Sequence, residues 1–184
     1  MPIVERVSSE DALDRVRTAL GDTARDLGLN HGQVDLQCAP ANLVEVVRTL
    51  QTTDGLRYEF FTFLSAIDRT EFGGAESDNA GGLEVLIHLY SPDHAIHVNI
   101  HVPVDLDNPV CPSISDVFKG ALWHERETNE MFGIDFDGHP NLVNLYLPED
   151  FVGHPGRRSF KLPSRAIKEW PGAKDPEEAA AGGR

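Results

Sequence analysis

Cysteine is scarce: Cys38 and Cys111 are the only two in 184 residues. They lie far apart and show no CxxC spacing, which argues against a zinc site or iron–sulfur cluster held by this chain alone. Two buried thiols in a reducing cytoplasm is the plainer reading. Long apolar runs are missing, and none approaches the ~20 residues needed to span a bilayer. The start, Met1-Pro2-Ile3-Val4-Glu5-Arg6, lacks the basic-then-apolar layout of a signal peptide. Positive charge is in short supply: 16 Lys and Arg stand against 30 Asp and Glu, for a net charge of −14. That balance argues against a nucleic-acid-binding stripe and against docking by charge on an anionic leaflet. GxGxxG, P-loop and GxSxG motifs and a Cys/His nucleophile pair are likewise missing.

A hydrophobic fraction of 40% fits a globular chain, and its length allows one domain with a real core. Ser8 and Asp11 have capping-box spacing, with Asp replacing the usual Glu or Gln, and Leu13, Val16, Ala19 and Leu20 recur at helical spacing. Val34, Leu36 and Cys38 alternate as in a strand. Pro40 and Asn42 open a second helix carrying Leu43, Val46, Val47 and Leu50. Tyr58 to Leu64 reads as a buried strand, followed by a Gly- and acid-rich loop at 73–82. Leu83–Tyr90 and Ala95–Val102 alternate around Ser91-Pro92-Asp93, which predicts an antiparallel hairpin with one wetter face. The fold expected is α+β: helices on a mainly antiparallel sheet, then a helix and a long extended C-terminal arm.

Three segments follow from this reading: an α+β domain over 1–105, a helical segment over 106–133 and an extended arm over 134–184. In the middle segment, Ser113 or Ser115 is expected to cap a short helix through Phe118. A further helix spans Ala121 to Phe132, with Gly133 as its C′ residue. The arm is rich in Pro, Gly and charge, yet keeps Phe136, Leu142, Leu145, Tyr146, Leu147, Phe151, Phe160, Leu162 and Trp170. A structureless stretch of that length does not belong inside a compact domain, and disorder should be poorer in aromatics. The arm is therefore expected to borrow its core from a partner, with 174–184 fraying.

The charged constellations admit bland readings. His97 and His101 share a strand face but stand ~13 Å apart, too far for one metal ion. His124-Glu125-Arg126-Glu127 begins like an HExxH helix, but Thr128 stands where the second histidine belongs. Arg126 can pair with Glu130 at i,i+4 as part of a solvated face. Trp123, Met131 and Phe132 beside these charges are more typical of a docking surface. Glu125 and Glu127 do not suit glycosidase chemistry, since neighbours on a helix face different ways. Gly153-His154-Pro155-Gly156-Arg157-Arg158 is either an anion-binding loop or an interchain salt-bridge anchor, and the anchor is favoured.

Taken together, Pro112-Ser113-Ile114-Ser115-Asp116-Val117-Phe118, Trp123-His124-Glu125-Arg126-Glu127, Met131-Phe132-Gly133-Ile134, Gly138-His139-Pro140, Leu147-Pro148-Glu149-Asp150 and Gly153-His154-Pro155 form one ordered series. The series resembles the signature of the C-type subunit of NADH–quinone oxidoreductase, the thirty-kilodalton subunit family of respiratory complex I. The likeness is close over about 112–163 and looser over Leu64–Asp68 and His88–Ser91. Glu130 departs from the family's usual Asp. Val143 and Asn144 replace basic residues, and Gly156 and Ser159 flank Arg157-Arg158 where the family has a large apolar residue and Asp.

The resemblance implies a non-catalytic scaffolding subunit in the peripheral arm of a proton-translocating complex. It would be held at the cytoplasmic side of the cell membrane without a span of its own. Its partners would be the large, D-type quinone-site subunit and neighbouring peripheral-arm subunits, with no nucleic acid. Iron–sulfur clusters, flavin and quinone would sit on other subunits, and no catalytic, cofactor-binding or metal residue is expected here. The expected partner interface comprises Trp123, Glu125, Arg126, Glu127, Met131, Phe132, Gly138, His139, Pro140, Gly153, His154, Pro155, Arg157 and Arg158. The departures leave room for the equivalent subunit of a membrane-bound hydrogenase or coenzyme F420 dehydrogenase. From a different class, a self-contained small anion-binding protein or enzyme would gather His124, His139, His154 and the arginine pair into one pocket.

Overall fold

A computed structural model of the chain describes residues 6–70 and 81–162. The expected loop at 73–82, apart from Gly81 and Gly82, lies outside these residues, as do Trp170 and the rest of the arm beyond 162. Helix α1 (Ser9–Leu20) starts where Ser8 Oγ accepts the Asp11 backbone N–H at 3.1 Å, and it buries Ala12, Val16 and Leu20. Helix α2 (Leu43–Thr52) buries Leu43, Val46, Val47 and Leu50. Both stripes have the i, i+3, i+4 spacing that puts apolar side chains on one helix face. They join a single buried cluster with Val34, Leu36, Val85, Ile87, Leu89, Val98 and Ile100 from the sheet.

The sheet is formed by β1 (Arg25–Asn30), β2 (Gln33–Gln37), β3 (Phe60–Asp68), β4 (Leu83–Ser91) and β5 (Ile96–Val104), in the order β1-β2-β5-β4-β3. Three pairings are antiparallel and β2–β5 is parallel. The α+β class with a mainly antiparallel sheet is therefore present. Strand β1 has no counterpart in the sequence-based reading. Asp26 and Gly28 are poor strand formers, and the strand exists because a turn at His31-Gly32, both at positive φ, folds it onto β2.

The aromatic run expected as a buried strand divides. Tyr58 is fully buried ahead of β3, whereas Phe60 and Phe63 within it are 55% and 39% exposed. Edge strand β3 carries an irregularity between Phe61 and Phe63, and Phe60 and Phe63 look outward onto the wetter face. There Phe63 stacks on His88, and His88 and Tyr90 both pack on His97.

His97 and His101 take different partners. His97 Nδ1 lies 3.2 Å from His88 Nε2. His101 bridges two strands, with Nε2 2.9 Å from Asp35 Oδ1 on β2 and Nδ1 bonded to Glu84 on β4. Arg69 reaches the same Glu84 oxygen at 3.3 Å. The Glu84 hydrogen bond raises the His101 pKa above its ordinary value; burial opposes this, and the charges of Asp35 and Glu84 add to the rise. A raised imidazole pKa gives stability that is complete below about pH 6.5 and lost as pH climbs through the folded value. Urea unfolding at about pH 5.5 and about pH 8.5 should show the wild type weakening toward the higher pH, with most of that slope gone in His101→Gln. Equal slopes in the two proteins would remove this role from His101.

The core does not stop at residue 105. Cys111, Ile114, Phe118, Ala121, Ile134 and Phe136 belong to the same buried cluster as the sheet and its two helices. Strands β6 (Val110–Pro112) and β7 (Asp135–Asp137) pair in parallel and bring Ile134 and Phe136 inside. The first residues of the arm thus find their core within this chain. Burial pushes the Cys38 thiol up to about 12 and raises the Cys111 thiol as well, so both resist ionisation. The short helix expected through Phe118 is a turn, closed by Val117 and Phe118 N–H groups on the Ile114 carbonyl. Ser113 Oγ accepts the Ser115 N–H at 3.2 Å at the start of this turn, while its hydroxyl donates to Glu125.

Candidate functional site

Helix α3 (Ala121–Phe132) is the spine of the signature region. It lies against edge strand β3, where His124 Nδ1 is 3.0 Å from the Leu64 carbonyl oxygen. The contact covers part of a strand edge that would otherwise offer its backbone to another chain. On α3, Glu125 is fully buried and accepts the Ser113 hydroxyl at 2.6 Å and the Ile114 N–H at 2.8 Å. Burial raises its pKa; the bonds from Ser113 and Ile114 and the nearby His139 pull the other way. The Asn141 N–H donates to His139 Nδ1, so Nε2 carries the proton and donates to the Leu122 carbonyl at 3.0 Å.

After β7 the chain returns to the start of α3 and runs beside it toward its C-terminal end. His139 meets Leu122, and Arg126 then forks onto the Val143 and Asn144 carbonyls, both at 2.8 Å. The i,i+4 pairing of Arg126 with Glu130 is not formed, because both groups are engaged by the arm. Glu130 is 4% exposed, and its carboxylate accepts the backbone N–H groups of Leu145, Tyr146 and Leu147 at 3.0–3.1 Å.

The last carbonyls of α3, which have no partners inside a helix, are also met by the arm. His154 Nδ1 donates to Glu130 O at 3.0 Å, and the Gly156 N–H to Met131 O at 2.8 Å. Arg157 donates to Phe132 O through Nε and to Gly133 O through Nη2. A cation in this place also suits the negative end of the helix dipole. Gly133 takes the left-handed φ of +67° that a helix C′ position requires. Arg158 ties the arm to the sheet, with its backbone N–H on Asp68 Oδ2 at 2.9 Å and its Nε on Asp68 O at 3.2 Å.

These contacts give the predicted interface residues two kinds of place. Glu125, Arg126, His139, His154, Arg157 and Arg158 are bonded within the chain. Phe132 packs on the core, and Glu127, Met131 and Pro155 are half-buried. Gly138 and Gly153 supply positive-φ corners, and Pro140 is exposed. Trp123 is 56% exposed. His124, His139 and His154 do not converge: each is spent on a different backbone carbonyl.

Sequence reasoning left Asn129 and Asp68 out of the interface and gave Glu130 only a pairing with Arg126 on a solvated face. Asn129 Nδ2 donates to Ile134 O, and Asp68 receives the arm ninety residues away in sequence. An acid just before the helix C-terminus, where the dipole disfavours it, was the available signal for Glu130. Among the described residues no group of three or more His, Cys, Asp or Glu could hold a metal ion, and no helix is long and apolar enough to cross a membrane.

Comparison with known proteins gives consistent findings. The family model described as respiratory-chain NADH dehydrogenase, 30 Kd subunit, matches residues 36–166. The C-type subunit of NADH-quinone oxidoreductase from Salinispora tropica is 33% identical over 166 residues, which cover 90% of this chain and 65% of the relative's own length. The chain thus spans a little under two thirds of that protein. The corresponding subunit of Roseiflexus sp. (strain RS-1) is 36% identical over 155 residues, covering 84% of this chain and 85% of the relative. The fold is shared with a trypsin-resistant fragment (1–134) of Nqo5, at TM-score 0.55 and 20% identity, over 72% of this chain and 98% of that one. It is also shared with a chain of an archaeal membrane-bound sulfane sulfur reductase, at TM-score 0.58 and 17% identity, over 83% and 85%.

Proposed function

Because this chain belongs to the 30 kDa subunit family of respiratory-chain NADH dehydrogenases, we propose that it is a scaffolding subunit in the peripheral arm of a proton-translocating NADH–quinone oxidoreductase. It holds the large quinone-site subunit and neighbouring subunits at the cytoplasmic face of the membrane. Flavin, iron–sulfur clusters and quinone are carried by those partners.

The observation that carries the scaffolding role is the use made of the signature's polar groups. Glu125, Arg126, Glu130, His139, His154 and Arg157 fasten one stretch of this chain to another. Groups committed to fixed backbone partners are suited to holding a shape. The gathered pocket that a self-contained enzyme or anion-binding protein would need from His124, His139, His154 and the arginines is not formed.

Mild-detergent affinity purification of the tagged chain from its native membranes tests the reading. The expected result is co-recovery of a quinone-site large subunit, cluster-bearing subunits and antiporter-like membrane subunits. Deletion of the chain should abolish NADH–quinone activity of the membranes. A chain recovered alone from the soluble fraction, with that activity intact in the deletion strain, would overturn it.

A further inference from the structure

Two imidazoles meet on the wetter face of the sheet. Tyr90 pairs with His97 across β4 and β5, and His88 with Asn99, so His88 and His97 are diagonal neighbours on one face. The sequence reading weighed His97 only against His101 on its own strand; the sheet register supplies the closer partner. Nε2 of His88 and Nδ1 of His97 stand 3.2 Å apart. Two nitrogens bound to one zinc ion at about 2.0–2.1 Å, near the tetrahedral angle, are themselves roughly 3.3 Å apart. His101, by contrast, has a carboxylate on each nitrogen, and His124, His139 and His154 are spent on backbone carbonyls.

The surroundings suit a pair of metal ligands. Phe63 stacks on His88 with ring centroids 5.7 Å apart, and Tyr90 packs on His97 at 4.5 Å, so both imidazoles are steadied by an aromatic neighbour. Burial holds the His88 pKa below its ordinary value, and the charge of His97 adds to this, so His88 is neutral at neutral pH. Neutral imidazole is the form that binds a metal. Both residues are half-buried, which leaves a solvent side open for water ligands. The net charge of −14 draws cations toward the surface. Imidazole suits zinc and its first-row neighbours, whereas magnesium and calcium take oxygen ligands.

We propose that His88 and His97 form a two-histidine site for a divalent transition-metal ion of the zinc type, with water completing its coordination. The hydrogen bond between the rings is exchanged for two metal–nitrogen bonds, and the ion gives up water molecules in return. Each ring stays neutral, with its proton on the nitrogen turned away from the ion: Nδ1 of His88 and Nε2 of His97. His88 Nδ1 is buried without a hydrogen-bond partner among the described residues, so no outer acceptor supports that ligand. Structural zinc takes four protein ligands; two, one of them unsupported, make an exchangeable site. The bound ion clamps β4 to β5 beside the exposed Phe60 and Phe63. The site stands apart from the signature region and does not depend on the subunit reading.

The test is a zinc titration of the purified full chain, free of any histidine tag and of chelator, at about pH 7.5, above the ordinary imidazole pKa. Calorimetry should show one equivalent of zinc bound by the wild type. His88→Gln and His97→Gln should each weaken binding by at least about tenfold, since loss of an outer-shell partner alone already costs that much at metal sites. His101→Gln, on the same sheet face, should bind as the wild type does, and magnesium should not compete. The histidine ring resonances of the wild-type chain give a second readout that needs no substitution. Those of His88 and His97 should shift together as zinc is added. Thermal unfolding checks the fold of each variant, and should a glutamine variant melt early, the wild-type resonances decide. Zinc bound equally well by both glutamine variants would overturn the site. So would His88 and His97 resonances that stay in place however much zinc is added, which would leave the pair as a hydrogen bond between strands.

Discussion

Glu130→Ala should detach the arm from α3 and lower the unfolding free energy by about 3 kcal/mol. The carboxylate sits at the negative end of a helix, a poor place for an anion. It is tolerated because three consecutive backbone N–H groups, from Leu145, Tyr146 and Leu147, converge on it. Oε2 alone lies within 3.0–3.2 Å of all three nitrogens. Hydrogen bonds to a charged group contribute roughly 1.5–3 kcal/mol each, but a released arm can rehydrate its amides, which limits the net loss. Glu130→Gln should cost less than alanine, since an amide oxygen can replace Oε2 while the charge is lost. Urea unfolding and hydrogen exchange at residues 145 to 147 provide the readout. Wild-type stability in Glu130→Ala, with those three amides still protected, would show that the carboxylate does not hold the arm.

Gly133→Ala should be comparably damaging, by about 2–3 kcal/mol, for two separable reasons. The residue has φ of +67°, where an L side chain costs roughly 1–2 kcal/mol. An added Cβ would also lie 2.5 Å from His154 Nε2 and 2.9 Å from Arg157 Nη2, the side chains that cap α3. Gly138 separates the two effects. Its φ is +83°, but a Cβ there meets nothing within 4 Å, so Gly138→Ala should show the backbone cost alone. Equal losses in the two variants, measured by denaturant titration, would mean that the close approach at Gly133 is relieved without loss of the caps.

Gly156 makes the same point about packing. A Cβ on it would lie 2.7 Å from the Phe132 ring and 2.9 Å from the Met131 carbonyl oxygen. In this chain the small residue lets the arm's backbone close onto the helix end, where the Gly156 N–H reaches Met131 O. Nothing in the Gly-His-Pro-Gly pattern announces that contact.

What was legible came from local rules. The Ser8 cap, the apolar stripes of α1 and α2, the alternation of β4 and β5 and the glycine stop of α3 each express the relation between residue type and nearby backbone geometry. The ordered signature also disclosed the family, since it runs through the turns and the helix that the family model covers. Strand β1 escaped because its residues have little strand preference and its pairing is supplied by β2. The exposure of Phe60 and Phe63 escaped because aromatic content does not tell an edge strand from a central one.

By itself, the sequence determined the α+β class, the positions of the helices and most strands, the acidic character and the family. Those depend on spacing and composition, which a linear chain displays. Only the tertiary structure decided where the signature's charges go. Periodicity says which face a side chain occupies but not which backbone group will stand opposite it. Glu130 finds amides fifteen to seventeen residues on, and Asp68 finds Arg158 ninety residues away. Buried donors and acceptors must be satisfied by whatever the fold brings within about 3 Å. A helix that reads as a solvated charged face can therefore become the anchor of an arm, leaving Trp123 and Tyr146 to face outward.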